Sequence, residues 1–326
     1  MIANPRWVSA LSLSFCLLGT ASVGAQSLAW VSSEKNNSIT LVDLVTGKVS
    51  GTVATCKRPR HMQVSPDRKQ LLVACSDANA ADVIDLATRQ SVRHIPLGES
   101  PEIFDLSTDG KTIFASNEDD AELSFIDAGS GKKTGQVQVG KEPEGVKVSP
   151  DGKTVFVTSE VANMVHVVDI ATKTIRKNVV VGKRPRRFAI TPNGQELWVT
   201  NELGASISVL SLKDYSVMAT IALELKGARS TDITPVGLVM SKDGKRAYVT
   251  MGRANHVAFI DVASRKITDQ VLVGKRPWSL ALSKDESKLY VVNGLSDDMT
   301  VIDTAKAKAL LSVPVGRVPH TVVLTD

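Results

Sequence analysis

The sequence predicts an all-β protein, a seven-bladed β-propeller with four antiparallel strands per blade, and three observations lead there. A proline-led motif recurs at Pro59, Pro101, Pro143, Pro185, Pro235, Pro277 and Pro319, with intervals of 42 residues and one of 50. Each repeat holds four short apolar runs that alternate with period two, and no stretch shows the 3.6-residue period of an amphipathic helix. Four strands in about 40–45 residues is the pattern of a propeller blade. Thirdly, the two ends of the chain complement each other. After Pro319 only one strand remains, Thr321 to Leu324, and the three strands it lacks stand at Leu28–Val31, Ser38–Asp43 and Lys48–Ala54. The N- and C-terminal strands therefore share one blade, which closes the ring and leaves no open sheet edge.

The unit that starts at Pro143 shows how each strand is bounded. Residues 143–149 alternate, Pro150-Asp151-Gly152-Lys153 turns the chain, and Val155-Phe156-Val157-Thr158 runs back. Met164–Asp169 follows, and Val179-Val180-Val181-Gly182 ends the fourth strand after a Thr-x-Lys turn. Asp43, Asp85, Asp127, Asp169, Asp261 and Asp303 close the third strands, with Ser211 in the remaining unit. An aspartate there is structural, accepting backbone N–H groups of the next turn. Where other units read Asp-Gly-Lys, one reads Asp67-Arg68-Lys69, which predicts a less tight turn.

With 43% hydrophobic residues and a net charge of +5 over 326 residues, disorder is excluded. The 39 Lys and Arg residues form no block and aromatics make up only 4%, so nucleic acid is not expected as a partner. Residues 1–25 read as a secretory signal peptide: Arg6, an apolar run from Val8 to Leu18, then Val23-Gly24-Ala25 before the cleavage point. Cys16 lacks the setting of a lipid anchor, and no apolar run is long enough for a membrane span. The expectation is a periplasmic chain of residues 26–326, a single propeller. Removing the leader leaves Cys56 and Cys75, which fall on one face of the same blade and predict a disulfide, two buried thiols being the alternative.

In such a blade, the loop entering the first strand and the loop joining the second and third emerge on one face, around the channel mouth. The residues just after the repeat prolines include Arg60, Glu102, Glu144, Arg186, Trp278 and His320, and the second set of loops carries Glu118, Glu160 and Glu202. These nine are the candidate ligand-binding residues, a basic and aromatic arc facing an acidic one, suited to a small anion on guanidinium forks or a charged partner. Cys-x-x-Cys-His is absent, which excludes covalent haem, and no zinc, nucleophile-elbow or phosphate-loop motif is present. No catalytic residue or metal ligand is assigned; among the five histidines, His61 and His320 lie on the loop face.

Phrases such as Val155-Phe156-Val157-Thr158-Ser159 and Ala247-Tyr248-Val249-Thr250 resemble the YVTN-type propeller repeat. Arg58-Pro59-Arg60, Asn117-Glu118-Asp119-Asp120, Glu142-Pro143-Glu144-Gly145 and Ile233-Thr234-Pro235-Val236-Gly237 resemble, more narrowly, bacterial propellers associated with PQQ-dependent catabolism. That resemblance implies a non-enzymatic periplasmic binding or scaffolding propeller beside a quinoprotein alcohol dehydrogenase or its cytochrome. PQQ is then the candidate ligand, its carboxylates on arginine forks and its ring on Trp278. Two rivals stand beside it: a lactonase-like hydrolase with His320 or His61 as base and Glu144 or Glu160 assisting, and a haem- or metal-binding propeller.

Overall fold

A computed structural model describes residues 1–2 and 27–325; the expected signal peptide and its cleavage point lie outside the described residues. The described residues form seven four-stranded antiparallel sheets. Blade 1 combines Pro319–Thr325 with Leu28–Ser33, Ser38–Asp43 and Lys48–Ala54, and the register Leu28↔Thr325 to Val31↔Val322 closes the ring as the two ends predict. Blades 2 to 7 start with the inner strands Pro59–Val64, Pro101–Leu106, Pro143–Val148, Pro185–Ile190, Pro235–Met240 and Pro277–Leu282. Every predicted repeat proline begins an inner strand.

Burial follows position in the blade. The second strand of blade 4, Thr154–Ser159, is buried at all six residues, whereas the outermost strand Lys48–Ala54 of blade 1 buries only Val53. A middle strand is covered on both faces by neighbouring blades and the last strand meets water. Aromatic pairs pack in the buried core: Phe114 meets Phe125 edge-on at 5.1 Å, and Tyr248 meets Phe259 at 4.8 Å.

The turns behave as the aspartate column predicts. Asp43 accepts the Thr46 N–H at 2.7 Å, and Asp85, Asp127, Asp169, Asp261 and Asp303 repeat this three residues ahead. The Asp67-Arg68-Lys69 turn does not loosen. Arg68 adopts φ 57°, beside 71° at Gly110 and 69° at Gly152, and Asp67 still accepts Lys69 N–H at 3.1 Å. The turn's hydrogen bonds hold a side-chain-bearing residue in the left-handed region. The long interval precedes blade 6, where Ser230–Asp232 forms a 3₁₀ turn and Leu225 and Ala228 pack against the core.

Candidate functional site

Each inner strand begins with a bulge. In blade 2 the register jumps from Pro59↔Cys75 to Met62↔Val73, so one extra residue is accommodated between proline and ladder; the same shift occurs after Pro101, Pro143, Pro185 and Pro235. The bulge frees the two residues after the proline from strict alternation. A hydroxyl from the preceding blade then fixes the backbone: Ser32 donates to the Arg60 carbonyl at 2.7 Å, Ser116 to Glu144 at 2.8 Å, Thr158 to Arg186 at 3.1 Å and Thr200 to Val236 at 2.9 Å. Small residues permit the approach. A Cβ on Gly145 would collide with the Arg186 carbonyl, and one on Gly237 with the Trp278 carbonyl.

The side chains so placed form a buried layer across the channel: Arg60 is 8% exposed, Glu102 1%, Glu144 4%, Arg186 4% and His320 2%. The two predicted arcs do not stand apart. Arg60 contacts Glu102 and lies 3.3 Å from Glu34, while Arg186 contacts Glu160 and approaches Glu144 at 3.2 Å and Glu202 at 3.6 Å. Arg184 pairs with Glu160 at 2.5 Å, Arg187 with Glu144 at 2.8 Å and Arg276 with Glu202 at 2.7 Å. Opposite charges on adjacent blades attract across a low-dielectric gap and interlock. Trp278 is gripped by Arg276 at 4.7 Å and Arg186 at 5.6 Å and stacks with His320 at 6.0 Å. Both arginines assigned to a small anion therefore already face carboxylates. Glu118 enters only through its charge, which adds to the proton affinity of Glu102.

The layer sets unusual protonation states. Burial, then the charge of Glu144, pushes the Glu102 carboxyl up to about 8 against the pull of Arg60, and neither of its oxygens accepts a well-aligned hydrogen bond. Burial raises Glu160 to about 7 although Arg186 opposes it. For Glu144 burial loses: Arg186, Arg187 and Arg60 hold it down at about 2. His61 is lowered to about 3 by burial and Arg187, and burial with Arg60 and Arg187 keeps His320 well below its ordinary value. Both imidazoles are neutral at pH 7.

Below the layer lies a channel cavity of about 300 Å³. Its reactive lining consists of His61, Arg187, His320, Lys147 and Asp105, with Trp278 at one wall. His320 Nδ1 lies 3.0 Å from the Thr321 hydroxyl, while Nε2 has no hydrogen-bond partner. Lys147 and Asp105 pair at 3.0 Å, and Gln63 donates to Asp105 at 2.8 Å. Arg187, Lys147 and Asp105 were not among the predicted nine. They sit two and four residues after their prolines, and the repeat of that spacing was the signal available. Cys56 and Cys75 are joined by a disulfide with a Cα separation of 5.8 Å, on the loop face next to Arg58. Among the described residues, no group of three or more His, Cys, Asp or Glu side chains is arranged to hold a metal ion. Among the described residues, no helix is long and apolar enough to cross a membrane.

The family described as "Lactonase, 7-bladed beta-propeller" matches residues 146–321, and the YNCE-like β-propeller family matches residues 15–104. Among solved structures, the periplasmic gluconolactonase of Pseudomonas aeruginosa is similar at TM-score 0.79 and 20% identity, over 92% of this chain and 99% of that one. A putative 6-phosphogluconolactonase from Bacteroides uniformis has TM-score 0.77 and 15% identity, over 93% and 100%. Hydrazine synthase from Kuenenia stuttgartiensis has TM-score 0.76 and 25% identity, over 85% and 92%. No curated protein matches the sequence. These findings overturn the expectation of a non-enzymatic scaffold for quinoprotein catabolism with a small anion or redox partner on its loop face. The resemblance holds at the level of the propeller and its lactonase-type repeats, because the phrases that suggested PQQ serve the charge layer and blade seams of this fold. With its family match spanning more than half of its length, the chain belongs to the seven-bladed β-propeller lactonase family.

Proposed function

We propose that the protein hydrolyses a lactone in the channel cavity. Family membership supports this, as do structural neighbours titled gluconolactonase and 6-phosphogluconolactonase. The observation that carries it is His320, a neutral imidazole in the cavity wall, oriented through Nδ1, with its buried Nε2 lone pair unengaged when Nδ1 carries the proton, so that a small shift of the ring or a lining group brings it to a water in the cavity. In this reading Nε2 takes a proton from water as the oxygen attacks the lactone carbonyl. Charge developing on the carbonyl oxygen is met by the Arg187 guanidinium. The ring C–O bond then breaks, and the imidazolium returns its proton to the alkoxide, giving the hydroxy acid. The closed upper end of the channel keeps bulk water from the cation and the imidazole.

The test is turnover of a lactone panel followed by proton release. His320→Ala is expected to lower kcat by about 10²–10⁴-fold, the range for a general base, with the fold intact by circular dichroism. An active His320→Ala variant, or no turnover of any lactone by the wild type, removes the proposal. We further propose that the leader directs the chain out of the cytoplasm, where the Cys56–Cys75 disulfide would persist; N-terminal sequencing of the exported protein is expected to start at Gln26.

A further inference from the structure

We propose that ligands reach the cavity from the face opposite the charged loops, through a throat gated by the Lys147–Asp105 pair. The inference rests on the cavity being the working site, as the lactonase reading has it. Three observations carry it. On the loop side, the layer after the prolines is closed by the Arg186–Glu144 and Arg187–Glu144 ion pairs and the Arg60–Glu102 contact, with Arg60, Glu102, Glu144 and Arg186 no more than 8% exposed. None of the loops joining second and third strands, 34–37, 76–79, 118–121, 160–163, 202–205, 252–255 or 294–297, lines the cavity. Towards the other end Gln63, Lys147, Val239, Ala281 and Val323 are half-buried along the inner strands, while Asp105 stays buried. Asp105 and Lys147 also line a second cavity of about 310 Å³, bounded by Thr108, Pro150 and Pro192 in the tight turns of that opposite face. This ion pair therefore forms part of the wall of both spaces.

The physical contrast is between two closures. Opening the loop side means separating buried charges that carry several partners each, which leaves uncompensated ions in a poor dielectric. Opening the throat means swinging one lysine, 40% exposed and with a flexible stem, off a carboxylate that keeps hydrogen bonds from Gln63 and the Val148 N–H. The second is the easier motion.

The test reads access without relying on turnover. Ser279, which lines the cavity and is half-buried, is replaced by cysteine in a Cys16→Ser background, and the rate of its modification by methanethiosulfonate ethylsulfonate is measured. Adding Lys147→Trp, or Gln63→Trp as a second throat variant, is expected to slow labelling about tenfold or more, because a bulkier side chain at the shared wall would obstruct the route. Leu203→Trp, on the exposed loop face, is expected to leave the rate unchanged. Labelling that is blocked by Leu203→Trp, or unaffected by both throat variants once their melting curves show a folded ring, overturns the route. Throat-dependent labelling in a protein that hydrolyses no lactone would keep the route and discard the hydrolase.

Discussion

Glu102 shows how a residue's surroundings outweigh its type. A carboxyl whose folded value sits near 8, against 4.5 for the free group, binds its proton more tightly in the native state. Its contribution is therefore complete below about pH 4.5 and is lost as pH rises towards 8, so the native state loses stability across that window. Glu160, raised to about 7, acts with the same sign. Glu102→Gln is expected to flatten the fall of Tm between pH 5 and 8, read by calorimetry; an unchanged slope would contradict the buried neutral carboxyl. His166 offers a different case. Its Nε2 lies 2.8 Å from the Ser159 hydroxyl and its Nδ1 2.6 Å from the Asn178 side-chain Oδ1, which outlines a nucleophile, base and orienting group. Ser159 is fully buried, however, and the Gly140 N–H already donates to Nε2 at 3.0 Å. In blades 3, 5 and 7 the same places are held by Asn117 with Ser124, Asn201 with Ser208, and Asn293 with Thr300. The histidine is a blade lock. Burial lowers its pKa, so stability falls as pH drops below about 6.5. The double variant Ser159→Asn, His166→Ser is expected to fold and to lose part of that acid sensitivity in a Tm-versus-pH series.

Between strands, the same close approach is solved in different ways. Gly140, Gly182 and Gly274 each lie where a Cβ would press on Ser159, Asn201 or Asn293, at 2.8, 2.5 and 2.7 Å. In blade 2, Cys56 and Cys75 take those two places and are bonded, so a covalent link replaces glycine against a polar lock. Closing a loop of 19 residues stabilises the fold by about 3 kcal/mol through the unfolded chain. Reduction is expected to lower Tm accordingly, whereas Cys56→Gly with Cys75→Asn should recover part of the loss by restoring the pattern of the other blades; thermal melts with and without reductant distinguish them. The bulge depends likewise on space. Gly145→Ala is expected to cost about 1–3 kcal/mol in chemical denaturation, since the new methyl must displace the Arg186 carbonyl.

The ring as a whole depends on one strand from the C-terminus. Pro319–Thr325 supplies the inner strand of blade 1, carries His320 and pairs with Leu28–Ser33. Removing it would expose a sheet edge and open blade 1 to water on the channel side, so a chain ending at Val318 is expected to lose cooperative melting. The blade count, the closure and the aspartate turns could be read from the sequence because they follow from local rules. A 42-residue period, alternation of apolar residues and turn chemistry are properties of neighbouring residues along the chain. Which residues belong together at the centre was also legible, since Arg60, Glu102, Glu144, Arg186, Trp278 and His320 share one repeat position. What the charges do to one another was not. Arg60 meets Glu34 and Arg186 meets Glu144 only because adjacent blades bring residues some 26 to 42 positions apart within contact, and the sign of each neighbour decides whether an arginine awaits an anion or already holds one. The same packing buries His320, keeps it neutral and leaves a cavity beneath it. Repetition along the chain thus determined the architecture, while proximity across the ring, which no linear pattern encodes, decided the chemistry.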